Sequence, residues 1–163
     1  MRGDYTIITA RTSSKRLPKK IFLKFEKNRT IDIIISRAKK IGIPIILATT
    51  KNKKDDFLVN YVKKNYEINI FRGSEKNVLK RWQECFKKFN IKFACMIDAD
   101  DLIFDFNLYR SALSLIRKKK YDLIVRPQDI VTGLFTYVIS SKLINKSKEK
   151  YDKKNIQLVE PLF

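Results

Sequence analysis

Short apolar runs suited to buried strands alternate along this chain with stretches of helical period. Residues 5–10 predict a first strand, 43–49 a second, 68–71 a third, 93–97 a fourth and 121–125 a fifth, with a further strand over 134–139. Between the first two, Ile31, Ile34, Ile35 and Ala38 fall at helical spacing within residues 31–41. A second helix is predicted over 55–65, with Asp55 and Asp56 in its first turn, where the helix dipole favours negative charge. Ser74 is placed to cap a third helix over 77–89, in which Val78, Trp82, Cys85 and Phe89 share a face. Residues 108–118 predict a fourth helix, and a basic final helix begins near Ser141. The alternation predicts an α/β fold, a three-layer α/β/α sandwich with a mostly parallel sheet covered on both faces. At 163 residues, with no internal repeat or low-complexity linker, the chain reads as one domain over 1–163.

Composition narrows the classes. A chain that is 44% hydrophobic and 12% aromatic is not a disordered one. No apolar run is long enough for a transmembrane helix and the N-terminus carries no signal-peptide core, so the expected location is cytoplasmic, with no membrane partner. Cys85 and Cys95 are too few and too poorly spaced for a zinc site or a disulfide framework, and read as buried thiols. There is no histidine, which leaves carboxylates, cations and hydroxyls for any chemistry. The net charge of +19 invites nucleic-acid binding. The lysines, however, come in scattered pairs such as Lys39-Lys40, Lys63-Lys64 and Lys87-Lys88, on the polar sides or ends of predicted helices. That pattern argues against nucleic acid as the partner.

Two motifs carry chemistry. The loop after the first strand, residues 10–20, holds Arg11, Ser13, Ser14, Arg16 and Lys20. Lacking glycine, it is neither a P-loop nor a dinucleotide fingerprint. It nevertheless suits phosphate: the arginines can fork onto oxygens, Lys20 supplies a point charge and the serines add donors. The fourth strand runs into Asp98, Asp100 and Asp101. Three carboxylates within four residues repel one another unless a cation or donor is near. In an extended chain Asp98 and Asp100 would point to the same side. Mg²⁺ suits such a cluster, since it takes one or two carboxylates and completes its shell with substrate phosphates. Both motifs stand at carboxyl ends of predicted strands, where sheets of this class bind ligands. The pairing fits a nucleoside triphosphate with Mg²⁺, and nucleotidyl transfer. The plainer readings are a basic surface loop, a solvated strand-end turn, and, at residues 72–74, a turn capping the next helix.

The stretch T-A-R-T-S-S-K-R-L-P-K-K, residues 9–20, resembles the N-terminal signature of the sugar cytidylyltransferases, roughly A-R-x-x-S-x-R-L-P-G-K. Three more stretches agree in order and spacing. L-A-T-T at 47–50 is similar to the A-T-S/D after their second strand. F-R-G-S-E-K-N-V-L-K-R-W at 71–82 is similar to F-R-G-S-x-x-D-V-L-x-R-Y, and M-I-D-A-D-D-L-I-F-D at 96–105 to R-x-T-A-D-C-P-L-I-D. The resemblance covers about residues 5 to 110 and is nearest to the spore-coat polysaccharide biosynthesis branch.

This resemblance implies a fold of the nucleotide-diphospho-sugar transferase type and Mg²⁺-dependent transfer of CMP from CTP to a sugar or sugar acid. It implies that Arg11, Ser14, Arg16 and Lys20 embrace the triphosphate, with Arg11 and Lys20 offsetting charge on the leaving pyrophosphate. It places Asp100 at a metal carboxylate, with Asp101 beside it. Asp98 falls where some members read the base with glutamine, and a carboxylate there can accept from the cytosine 4-amino group. Ala10, Thr49, Arg72, Gly73 and Ser74 would line the nucleotide pocket. A homodimer is also implied. The chain departs from the pattern at Lys19, where the family usually has glycine, and at Leu102, Met96, Asn77 and Lys80. It is also short at its C-terminal side relative to the family, where Glu160 is the remaining acid. Two other classes stay open: a non-catalytic nucleotide-binding domain of the same fold, and a basic nucleic-acid-binding module.

Overall fold

The computed structural model describes residues 3–13, 17 and 19–151, with side chains up to residue 147. Its centre is a six-stranded sheet in the order β5-β4-β1-β6-β8-β7. The strands are β1 (Gly3–Thr9), β4 (Ile45–Thr50), β5 (Asn69–Gly73), β6 (Ile91–Asp98), β7 (Leu123–Val125) and β8 (Tyr137–Ser140). A two-stranded hairpin, β2 (Lys24–Phe25) and β3 (Asn28–Arg29), stands apart from the sheet and was not expected from the sequence. Its strands are two residues each and carry no period-2 pattern long enough to read. Among the described residues the α-helices are α1 (Thr30–Lys39), α2 (Asp56–Asn65), α3 (Val78–Lys88), α4 (Phe106–Lys119) and α5 (Ser141–Tyr151).

Residues alternate between the two faces of the sheet, as the strand pleat requires. Ile8, Leu47, Cys95, Ile97 and Val138 pack against α1, α2 and α4 through Ile34, Ile35, Leu58, Val62, Tyr109 and Leu113. Ile7, Ile46, Ala48, Ala94, Met96 and Ile139 pack on the other face against α3 and α5 through Leu79, Trp82, Cys85, Phe86 and Ile144. This is the expected three-layer sandwich, with the sheet parallel apart from β8, which runs antiparallel to both β6 and β7. Emptying one of the fully buried isoleucines, such as Ile34 or Ile46, would cost about 2–5 kcal/mol.

Two expectations are corrected. Helix α3 is capped by Asn77, whose side chain accepts from the Lys80 amide, while Ser74 Oγ accepts from the Asn77 amide one step earlier. The buried residues of α3 are Leu79, Arg81, Trp82, Cys85 and Phe86, and Val78 and Phe89 pack half-buried against the same cluster as Trp82 and Cys85, as their spacing predicts. The strand expected over 134–139 starts at Tyr137, because the preceding segment is tied elsewhere. Leu134 O accepts from the Asp105 amide (2.8 Å), and the Thr136 amide donates to the Tyr109 hydroxyl (2.9 Å).

Both cysteines are buried free thiols, and burial pushes each up to about 12. The pairs Lys39-Lys40, Lys63-Lys64 and Lys87-Lys88 are exposed, consistent with a solvated face. Among the described residues no helix is long and apolar enough to cross a membrane.

Candidate active site

The chain winds from β1 through α1 to β4 and through α2 to β5 on one face, then returns through α3 on the other face to β6. Connections from the adjacent parallel strands β1 and β6 therefore leave in opposite directions. The crevice between their carboxyl ends is a topological switch point, the place where open α/β sheets take ligands. The register puts Thr9 beside Asp98 across this crevice, and the Ala99 amide donates to Thr9 O. The cationic loop follows Thr9 directly and the carboxylates follow Asp98. The two motifs open onto one site.

Lys20 spans from the loop to the carboxylate turn at the mouth of that crevice. Its Nζ lies 2.5 Å from Asp100 Oδ2, with the two side chains 29% and 56% exposed. Lys20 is held from behind by its own neighbours: Ile21 is buried, and Phe22 packs edge-on to Phe57 (4.8 Å) and Tyr61 (5.6 Å). Arg29 stacks over the Tyr61 ring at 4.5 Å, and Asp32 on α1 accepts from the hydroxyls of Tyr61 and Tyr66 on or just after α2. The aromatic cluster thus fixes the turn that carries Lys20.

Lys19 precedes it with φ 56° and ψ 23°, a left-handed conformation that glycine adopts without cost. This accounts for the glycine of the signature at that position. Lys19 itself is exposed, and its amide donates to Thr12 O (3.1 Å).

The start of the loop is fastened by a residue the sequence reading took only for a helix first turn. Asp55 is fully buried. Its Oδ1 accepts from the Thr12 amide and the Thr12 hydroxyl, each at 2.7 Å, and its Oδ2 accepts from the Thr50 hydroxyl. Burial pushes the Asp55 carboxyl up, but the hydrogen bonds from Thr50 and Thr12 outweigh it and hold the group below its ordinary value. A buried carboxylate with this many donors is a fixed anchor between the loop and β4.

Arg72 and Gly73 have clear local tasks. Arg72 donates to Thr50 O (2.8 Å) and Asn52 O (2.9 Å) and pairs with Asp56 (2.7 Å), so its guanidinium faces the loop after β4. Gly73 is a point of close approach: a Cβ there would stand 2.8 Å from both Arg81 Cγ and Phe71 Cε1. Thr49 is fully buried at the end of β4, and Ala10 follows β1 with its amide donating to Ala48 O.

The acidic cluster departs from the extended geometry expected of it. β6 ends at Asp98, and the Asp101 amide turns back to Asp98 O (3.1 Å), so residues 98–101 form a turn rather than continue the strand. Alternation therefore does not govern where Asp98 and Asp100 point. Asp101 Oδ2 accepts from the Thr136 hydroxyl (3.0 Å), at the approach to β8. Ser14, Arg16 and Glu160 lie outside the described residues.

Comparison with known proteins decides the family. Residues 5–159 match the sequence model of a family described as cytidylyltransferase. The chain belongs to the cytidylyltransferase family. An uncharacterized protein of Methanocaldococcus jannaschii is 33% identical over 156 residues, covering 92% of this chain and 63% of that protein. The spore coat polysaccharide biosynthesis protein SpsF of Bacillus subtilis is 34% identical over 83 residues, 47% of this chain and 34% of that one. The chain thus spans less than two thirds of the length of either curated relative. A cytidylyltransferase of Leptospira borgpetersenii shares the fold with a TM-score of 0.86 at 20% identity, over 99% of this chain and 71% of that one. The family match runs to residue 159, past the point near 110 where the motifs fade to the eye. The later strands β7 and β8 therefore fall within the matched residues.

Sequence reasoning missed Asp55, Thr12 and Arg81. Asp55 stands in K-N-K-K-D-D, where a buried carboxylate looks like any other surface charge. Arg81 stands next to Trp82 on α3, and only its position opposite Gly73 in the fold reveals that it is buried.

Proposed function

We propose that this protein transfers CMP from CTP to a sugar or sugar acid and releases pyrophosphate. The observation that carries the reading is the contact between Lys20 and Asp100, which joins the cationic loop to the carboxylate turn at the switch-point crevice. Membership of the cytidylyltransferase family supports CTP as the donor. The role named for the Bacillus subtilis relative, spore coat polysaccharide biosynthesis, supports a sugar acceptor.

In this reading Arg11, Ser14, Arg16 and Lys20 surround the triphosphate, and Ala10, Thr49, Gly73 and Ser74 line the nucleotide pocket. Arg72 keeps the edge of that pocket in place through Thr50 O and Asn52 O. Asp98 accepts from the 4-amino group of cytosine. The α-phosphorus exchanges its bond to the pyrophosphate oxygen for one to the acceptor oxygen. Arg11 and Lys20 oppose the charge that grows on the leaving group, so catalysis rests on positioning and charge neutralisation.

The donor set fits Mg²⁺. All candidates are carboxylate oxygens, and among the described residues no group of three or more converges as a ready-made cage. One or two protein ligands with phosphate oxygens completing the shell is the arrangement Mg²⁺ prefers. Asp100 would hold it, with Asp101 oriented by the Thr136 hydroxyl as the second ligand. The ion would supply neutralisation of phosphate charge.

The test is turnover of CTP by Arg11→Ala and Asp100→Asn, each expected to fall about 100-fold or more while the circular dichroism spectrum is unchanged. Full turnover in both variants would overturn the site.

A further inference from the structure

Arg81 is the largest wholly enclosed side chain of the described residues, 2% exposed on the inner face of α3. It takes part in none of the described ion pairs. Its Nη1 donates to Ser74 O (2.8 Å), and its Nε has no hydrogen-bond partner. A buried guanidinium without a carboxylate against it is costly, because it has left water and gained little in return. Arg11 repels it while Asp55 and Asp98 attract it, and burial, with Arg11 next, pulls it down to about 10. Every one of these residues belongs to the mouth of the β1–β6 crevice or to its anchor. Packing alone does not call for an arginine here, since the rest of the α3 face is Leu79, Trp82, Cys85 and Phe86.

Two roles can be separated. A structural arginine would earn its place by holding Ser74 O, and its loss would weaken the fold. An arginine kept for the site would be a burden to the empty protein and would be compensated when an anion arrives. The absent counter-charge favours the second. We propose that Arg81 is a positioning residue of the nucleotide site. It acts as a fixed cation under the strand ends that holds the Gly73–Ser74 backbone and whose charge is completed by the phosphates of the bound nucleotide. This rests on the reading of the crevice as a CTP site.

The experiment compares wild type with Arg81→Met and Arg81→Lys, measuring apo melting temperature and dissociation constants for CTP and CMP at fixed Mg²⁺. Methionine keeps much of the volume and removes the charge; lysine keeps the charge. The expected result is an Arg81→Met protein that melts within a few degrees of wild type, the lost bond to Ser74 O being offset by relief of the buried charge, yet in which the ratio of CMP to CTP dissociation constants falls about tenfold. Arg81→Lys should keep most of that ratio. Should Arg81→Met fail to fold, Arg81→Gln takes its place in the same comparison. A ratio unchanged in the uncharged variant, or lost equally in Arg81→Lys, overturns the inference while leaving the CTP site intact. A wild-type chain that does not bind CTP overturns the proposed function itself.

Discussion

Lys20 and Asp100 are 80 positions apart in the chain and 2.5 Å apart in the fold. The pair is partly exposed, so its contribution to folding is small, about 1 kcal/mol or less. Its value lies in place: a cation and a carboxylate meet at the open end of the β1–β6 crevice, each set there by a different strand. Lys20→Met should therefore leave the melting temperature within a few degrees of wild type and weaken CTP binding about tenfold or more. Equal affinity of the variant and wild type would remove Lys20 from the site.

Asp55 should behave in the opposite way, as an anchor whose loss is felt by the whole fold. Asp55→Asn gives up charge-assisted acceptance from Thr12 and Thr50 and should cost about 2–4 kcal/mol. The sign of its pH dependence follows from its lowered value. The unfolded carboxyl titrates at about 3.9, so the stabilisation is complete above that pH and is lost as acid carries the protein down through the lower folded value. Denaturant titrations across pH 2–7 (an approximate range set by these values) should show wild type losing stability in acid more steeply than Asp55→Asn. Parallel curves would contradict the assignment.

The left-handed Lys19 is a strained position on an exposed turn. Lys19→Gly should raise stability by about 1 kcal/mol in chemical denaturation, the relief of the Cβ clash exceeding the added freedom of the unfolded chain. A loss of stability would mean that the turn takes another conformation.

Much of this was legible beforehand because it depends on local pattern. Ile31, Ile34 and Ile35 of α1 lie on the buried face where their spacing put them, and the first four predicted sheet strands match β1, β4, β5 and β6 to within a few residues. The loop and the acidic turn were found as separate motifs, and strand-end placement brought them to one site. What could not be read is what depends on the third dimension. The turn at residues 98–101 replaces an extended chain because Asp98 O captures the Asp101 amide. Asp55 and Arg81 are buried charges, and their sequence neighbours Lys54 and Lys80 are exposed ones. Composition cannot tell such neighbours apart.

Gly73 is a packing glycine at the edge of the proposed pocket. A methyl at its Cα would press on Phe71 and Arg81 at 2.8 Å and on the Arg81 Cα at 3.2 Å. Gly73→Ala should push α3 away from β5 and cost about 1–3 kcal/mol, seen as a lower denaturant midpoint. An unchanged midpoint would show that α3 can shift freely.

Whether the crevice between β1 and β6 takes CTP and Mg²⁺ is read by calorimetric titration of the chain with CTP, UTP, ATP and GTP, with and without Mg²⁺, at two salt concentrations. A site for CTP and Mg²⁺ there requires saturable binding that prefers CTP and strengthens with Mg²⁺. Binding without preference among the four, or binding that vanishes at the higher salt with and without Mg²⁺, would contradict it.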